Sequence, residues 1–238
     1  MHAPAARNLK PLPTGHPCQG CEVRDTAVCG ILDCDNLEQL KNLGWTLKLA
    51  PGQALFHEGD PVTRVFTLTR GTLKLYKLLA DGRRQVTGFM HPGDFLGISV
   101  DDEHAFSAEA LEPAQLCWFP RNRFDDFVEQ HAPMERELYR IAAHELAAAQ
   151  EQFVLLGRKR ATERIASFIL RLSERSNANT VHLSMSRSDI ADYLGLTKET
   201  VSRVLSALKR ERVIRLDALD EIRILDRAML QELAESAA

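Results

Sequence analysis

The chain has 238 residues, 45% of them apolar and 26% charged, with 13 Gly, 10 Pro and a formal net charge of −3. That balance is ordinary for a globular protein of one large or two modest domains, and it excludes a disordered, collagen-like or small disulfide-stapled chain. No run approaches the roughly 18 apolar residues that span a bilayer, and the polar, Pro-rich start from Met1 to Gly15 has no leader-like apolar segment; a cytoplasmic protein without a membrane partner is expected.

In chain order, the first feature is a cysteine cluster. Cys18, Cys21, Cys29 and Cys34 fall within 17 residues, and Cys117 stands alone much later. In a reducing compartment such a cluster points to metal or redox chemistry rather than to disulfides. The spacing Cys18-x2-Cys21-x7-Cys29 places three soft ligands on one segment, and Cys117 completes four if that segment folds against it. Four thiolates satisfy a 4Fe-4S cube, one per iron, and equally a tetrahedral zinc. A lone strand cysteine is, taken by itself, a small buried hydrophobe. The histidines, including His16, show no ligand spacing and are expected to be exposed or singly hydrogen-bonded.

Asp35 to Leu43 predicts a short helix. Turn signals then recur at Pro51-Gly52, Glu58-Gly59-Asp60, Arg70-Gly71, Asp81-Gly82 and Pro92-Gly93-Asp94, separating short apolar runs such as Val65-Phe66-Thr67-Leu68. This pattern predicts an all-β unit of about eight strands over 45–119, a sandwich or barrel, with Leu116 to Phe119 as its last strand and Pro120 as its stop.

The period then changes. Arg121 to Phe127 predicts a short helix, and Pro133 opens a long one reaching Gly157. Leu138, Ala142, Leu146, Ala149, Phe153 and Leu156 make a stripe along it suited to packing on another helix. Such a stripe either covers its own domain or pairs with the same helix of a second copy, and the small alanines favour close pairing.

From Arg158 to Arg215 there are 13 Lys/Arg against 6 Asp/Glu, so this segment is +7 and the remainder −10. A basic module beside an acidic one suggests a polyanionic partner. Within it, Arg158 to Ser173 predicts a helix and Val181 to Leu183 a short strand. Ser186 caps a second helix, Gly195 makes a turn, and Thr197 caps a third: a helix-turn-helix. On the last helix Val201, Val204, Leu205 and Leu208 face inward, leaving Glu199, Ser202, Arg203, Ser206 and Arg210 outside. Glu, Ser and Arg near a helix N-terminus are the donor and acceptor mix that reads base edges in double-stranded DNA, and Arg187, Lys198, Lys209 and Arg210 suit phosphates. Val213 to Leu216 and Ile222 to Leu225, joined through Asp217 to Asp220, predict a β-hairpin wing before a short final helix.

Over about residues 16 to 230, the glycine-punctuated β unit, Gln85-Val86-Thr87-Gly88-Phe89 leading into Pro92-Gly93-Asp94-Phe95-Leu96-Gly97, and the helix-turn-helix together resemble the cyclic AMP receptor protein and FNR superfamily of bacterial transcription regulators. Glu199-Thr200-Val201-Ser202-Arg203 is similar to the FNR-type recognition signature. The resemblance implies a cytoplasmic homodimer on a two-fold site close to TTGAT, four spacer bases and ATCAA, read by Glu199, Ser202 and Arg203. It also implies an oxygen-sensing 4Fe-4S cluster on Cys18, Cys21, Cys29 and Cys117, with Cys34 as the alternative to Cys29; exposed iron would react with nitric oxide as well, so the sequence leaves the choice between the two signals open.

The expected fold is α+β: a cysteine-rich segment and short helix (1–44), a cyclic-nucleotide-binding-like β-roll or jelly roll (45–132), a dimerisation helix (133–157) and a winged helix-turn-helix (158–238). Cyclic AMP is not expected, because Ile98 after Gly97 and Phe106 before Ser107 stand where the resemblance requires the ribose-binding Glu and phosphate-binding Arg. The hairpin at Leu79 to Arg84 is a candidate contact for RNA polymerase. Competing readings are a structural zinc site with another β-roll effector, and an iron-sulfur electron carrier. No nucleophile arrangement, phosphate loop or paired catalytic carboxylates indicate an enzyme.

Overall fold

The computed structural model describes residues 12–16, 18–99, 101–218 and 220–235. The start to residue 11, on which the expectation about a leader rests, and Leu219 in the expected wing turn lie outside the described residues. The chain forms two compact units: 12–78 with 87–143, and 79–86 with 144–235.

In the first unit eight strands build two four-stranded sheets: β1 (Trp45–Leu49), β2 (Ala54–Phe56), β3 (Arg64–Arg70), β4 (Leu73–Leu78), β5 (Arg84–Met90), β6 (Phe95–Leu96), β7 (Ser107–Ala110) and β8 (Ala114–Pro120). Their orders are β1-β8-β3-β6 and β2-β7-β4-β5. This is the expected jelly-roll β-roll. Phe56, Phe66, Leu68, Leu73, Met90, Leu96 and Leu116 pack between the sheets.

Strand alternation decides what happens on the outer face. On β8, Leu116 enters the sandwich core, whereas Cys117 and Phe119 join a second apolar cluster. On β3, Phe66 and Leu68 point inward and Val65 belongs to the second cluster. That outer face is covered by α1 (Cys34–Asn42), α2 (Arg121–Glu129) and the first turns of α3 (Ala132–Arg158) through Leu37, Leu40, Phe124, Phe127 and Met134. Asp33 caps α1, its carboxylate accepting the Asn36 backbone N–H at 2.9 Å and side-chain amide at 3.0 Å. His131, between α2 and α3, lies 2.6 Å from the Phe127 carbonyl and 3.0 Å from Asn36 Oδ1, so one ring ties α1 to the start of α3.

The second unit holds α4 (Ala161–Ser176), α5 (Arg187–Leu194), α6 (Lys198–Arg210) and α7 (Arg227–Glu235) with a three-stranded sheet, β10 (Ile214–Ala218), β11 (Glu221–Ile224) and β9 (Thr180–His182), in that order. α5 and α6 carry the expected caps, Ser186 and Thr197, and Gly195 between them sits at φ +61°, in the left-handed region that glycine occupies without Cβ strain. The helix expected to start at Arg158 starts at Ala161. α3 continues through Arg158, and Glu163 then accepts the Arg160 backbone N–H at 3.0 Å, restarting a separate helix. Arg164 holds this junction by donating to the Leu156, Lys159 and Leu194 carbonyls at 2.9, 2.8 and 2.7 Å. Among the described residues no helix is long and apolar enough to cross a membrane.

Leu116 is fully buried, so Leu116→Ala should cost about 2–5 kcal/mol, whereas Asp33→Ala, which removes one helix cap, should cost about 1 kcal/mol. Urea denaturation of the two variants checks the order.

Candidate metal centre and nucleic-acid interface

Cys18, Cys21, Cys29 and Cys117 line one small pocket on the outer face of the β1-β8-β3-β6 sheet, with a volume of about 30 Å³. The walls are apolar: Val23, Val28, Leu37, Leu40 and Phe119, with Thr67 and Thr69 from β3 and the side chains of Arg24 and Lys41. Cys117 comes from mid-β8, paired across to Thr67 and Thr46. The other three come from a segment of turns ending in a 3-10 turn over Val28–Ile31. His16 shapes its start, with Nδ1 accepting the Cys18 N–H at 3.0 Å. Cys34, the alternative ligand, is the first residue of α1 and does not line the pocket.

Burial dominates the chemistry of these thiols. Desolvation pushes Cys18 up to about 11 and Cys29 up to about 12, and the neighbouring cysteines add to both. Cys117 is raised for the same reason, partly offset by Lys41. Lys41 Nζ lies 3.8 Å from Cys117 Sγ and donates to it. Without a cation the pocket therefore favours neutral thiols, and a metal must displace their protons on entry.

Among the described residues, no three His, Cys, Asp or Glu side chains are gathered closely enough to bind one ion together. A tetrahedral zinc needs every sulfur about 2.3 Å from a single centre, whereas a 4Fe-4S cube takes each thiolate on a different iron. The donor set, four thiols around one apolar pocket, fits the cube in chemistry and number.

Two histidines depart from the expectation, His104 and His131, whereas His16, although buried, makes the single hydrogen bond expected of it. His104 is buried, 8% exposed. His104 stacks on Phe56 at 3.4 Å, and desolvation lowers its pKa. His131 makes contacts at both ring nitrogens rather than one.

On α6, Val201, Leu205 and Leu208 are buried, Val204 is half-buried, and Glu199, Ser202, Arg203, Ser206 and Arg210 are exposed together with Lys198 and Lys209. The outward groups are held lightly: Ser202 Oγ donates to the Lys198 carbonyl at 2.9 Å and Arg203 Nη2 to Thr200 Oγ1 at 3.2 Å. Arg187 differs from the other expected phosphate contacts. Its guanidinium is half-buried and desolvation lowers its pKa, so it is less available to an external anion. In the wing, Arg215 and Arg223 both pair with Asp217.

The stripe on α3 divides. Leu138 is half-buried against the cysteine-side cluster and Leu156 and Ala142 are half-buried, while Leu146, Ala149 and Phe153 are exposed. Tyr139, absent from the sequence stripe, is 78% exposed, and with Leu146 at 61% and Phe153 at 74% it forms an outward row at seven-residue intervals. In the β-roll, Phe106 packs on the sandwich core, and the Ser107 hydroxyl accepts the Glu58 N–H at 3.0 Å.

Lys41 and Tyr139 were not among the residues expected from sequence. Lys41 follows Leu37 by four, which places it on the edge of the buried face of α1. Tyr139 belongs to the heptad phase neighbouring the stripe.

Comparison with known proteins agrees with the architecture. Residues 46–131 match the cyclic nucleotide-binding domain and residues 163–233 the Crp-like helix-turn-helix domain. The chain is 42% identical over 227 residues to the nitrogen fixation regulation protein FixK of Bradyrhizobium diazoefficiens, covering 93% of this chain and 95% of that one. It is 35% identical to the transcriptional activator protein FnrL of Cereibacter sphaeroides, covering 91% of each. Among solved structures, FixK2 from Bradyrhizobium japonicum superposes with a TM-score of 0.78 at 35% identity, covering 82% of this chain and 99% of that one.

In the metal-free chain, Cys18 and Cys29 should alkylate with iodoacetamide about a hundredfold or more slower at pH 8 than an unhindered thiol, because the thiolate is the nucleophile and their pKa values lie two or more units higher. The rate should climb toward pH 11, and unfolding in urea should abolish the difference. Site-resolved mass spectrometry of the labelled chain checks this.

Proposed function

The chain belongs to the CRP/FNR family of transcription regulators, and on that premise we propose that it is an oxygen-responsive member of the FNR type. It is a DNA-binding regulator. The reading adds that it works in the cytoplasm as a homodimer and that Cys18, Cys21, Cys29 and Cys117 hold a 4Fe-4S cluster.

The observation that carries this reading is that four of the five cysteines converge on one pocket whose apolar cluster also contains Met134, Leu138 and Ile141 of α3. When bound, the cluster supplies an oxygen-labile tie among the four thiolates. The chain's own residues supply the rest. The 18–29 segment and α1 share their packing with the first turns of α3, and His131 adds a hydrogen-bonded link to Asn36. Releasing the segment therefore loosens the base of the helix whose outer row, Tyr139, Leu146 and Phe153, faces solvent. A groove of about 770 Å³ between α3, α4 and α7 includes Ala147, Ala148 and Val154 beside that row, which is consistent with a second copy packing there. A difference of about 1.4 kcal/mol in pairing changes dimer affinity tenfold.

Pairing would set two α6 helices about one DNA turn apart. Glu199, Ser202 and Arg203 would read base edges in a site close to TTGAT, four bases and ATCAA, with Arg203 on guanine. Lys198, Lys209 and Arg210 would take phosphates, and Arg187 contributes less. Cyclic AMP is not the effector in this reading: Phe106 is committed to the core and the Ser107 hydroxyl to Glu58. Activation, named in the FnrL relative, would use a polymerase contact, for which the hairpin from Leu79 to Arg84 is the candidate.

Anaerobic purification should give about four iron and four acid-labile sulfide per chain, bleached in air, and Cys117→Ser should lose the cluster. Stoichiometric zinc without sulfide would overturn the reading. Arg203→Ala should lose about 1–3 kcal/mol of discrimination at the guanine position with little change on non-specific DNA, measured by competition binding at fixed salt.

A further inference from the structure

We propose that Lys41 is the countercharge of the four-thiolate site, setting how firmly the pocket retains a metal core and how readily that core accepts an electron. This rests on the cluster reading above. A 4Fe-4S core at its usual 2+ charge, bound by four thiolates, carries a net charge of 2−, and an apolar wall does nothing to balance it. Lys41 lines the pocket with all four cysteines and places its ammonium 3.8 Å from Cys117 Sγ. It is also the leading favourable charge felt by both Cys18 and Cys117, ahead of Arg24 at Cys18.

The position is built by the helix. Leu37 and Leu40 of α1 are each 1% exposed and fix its face against the sheet. Lys41 sits in the last turn, which lays its aliphatic stem along the pocket rim and leaves its head at the sulfur. The last turn of a helix also favours a cation there. A lysine in this place acts on the thiolates as a fixed charge without ligating iron, so it is a positioning residue for the site.

The test uses the full-length chain purified anaerobically, comparing wild type with Lys41→Gln, Lys41→Arg and, as a control for total charge, the exposed Lys48→Gln. Two quantities are read: the rate of iron loss to a ferrous chelator without oxygen, and the midpoint potential for one-electron reduction followed by absorbance and paramagnetic resonance. Lys41→Gln should lose iron about three- to tenfold faster, the size expected of one partly solvated charge, and its midpoint should move to more negative potential. Lys41→Arg should restore both, and Lys48→Gln should change neither. Unchanged loss rate and potential in a cluster-loaded Lys41→Gln chain, or failure of arginine to restore them, overturns the role of Lys41 alone. Wild-type chain lacking iron and sulfide overturns the cluster reading and this inference with it.

Discussion

Desolvation of thiols in a pocket sealed by one face of a sheet is the constraint on which the cysteine side of the first unit depends. Cys117 reaches that pocket because of strand parity: one residue earlier, Leu116 fills the sandwich interior, and one residue later, Trp118 packs on the same inner side. A one-residue slip of β8 would exchange the two faces and place a leucine where the thiols meet. The same walls that hold Cys18 and Cys29 neutral make a bound anionic core dependent on whatever positive charge reaches the rim. Structure and chemistry are coupled here without a rigid cage, since Cys18 and Cys21 lie outside any helix or strand and Cys29 sits on a single 3-10 turn.

The second unit is organised differently. Its helix α6 is held from beneath by Val201, Leu205 and Leu208, and its outward side chains Ser202 and Arg203 are tethered by single bonds to their own helix. Arg164 supplies the rigidity between elements by gathering carbonyls from the ends of α3 and α5 into one guanidinium fork. An exposed polar face on a fixed base suits the base reading proposed for it, because little ordering remains to be done on contact.

Much of this was legible in the residues. The eight strands, the two caps and the turn of the helix-turn-helix follow from turn chemistry and from the change of period from two to 3.6. The proposed ligand set was legible less directly: spacing admits both zinc and a cube, Cys34 competes with Cys29 on sequence alone, and only the pocket separates Cys34 from the other four. Lys41 was not legible because its neighbour, Cys117, is far away in sequence and pairs with it through tertiary packing. The burial of His104 and the partial withdrawal of Arg187 have the same origin. Tyr139 was missed because a period of 3.6 drifts against a heptad, so the exposed row and the apolar stripe diverge along α3.

The outward row of Tyr139, Leu146 and Phe153 has a bearing on gene dosage. If two chains must meet along it, the amount of assembled regulator follows the law of mass action, and when most chains are single a doubling of their number raises the paired form roughly fourfold. Abundance then becomes an input alongside the chemical signal. A cell that alters synthesis or turnover of this chain would change its response more steeply than in proportion.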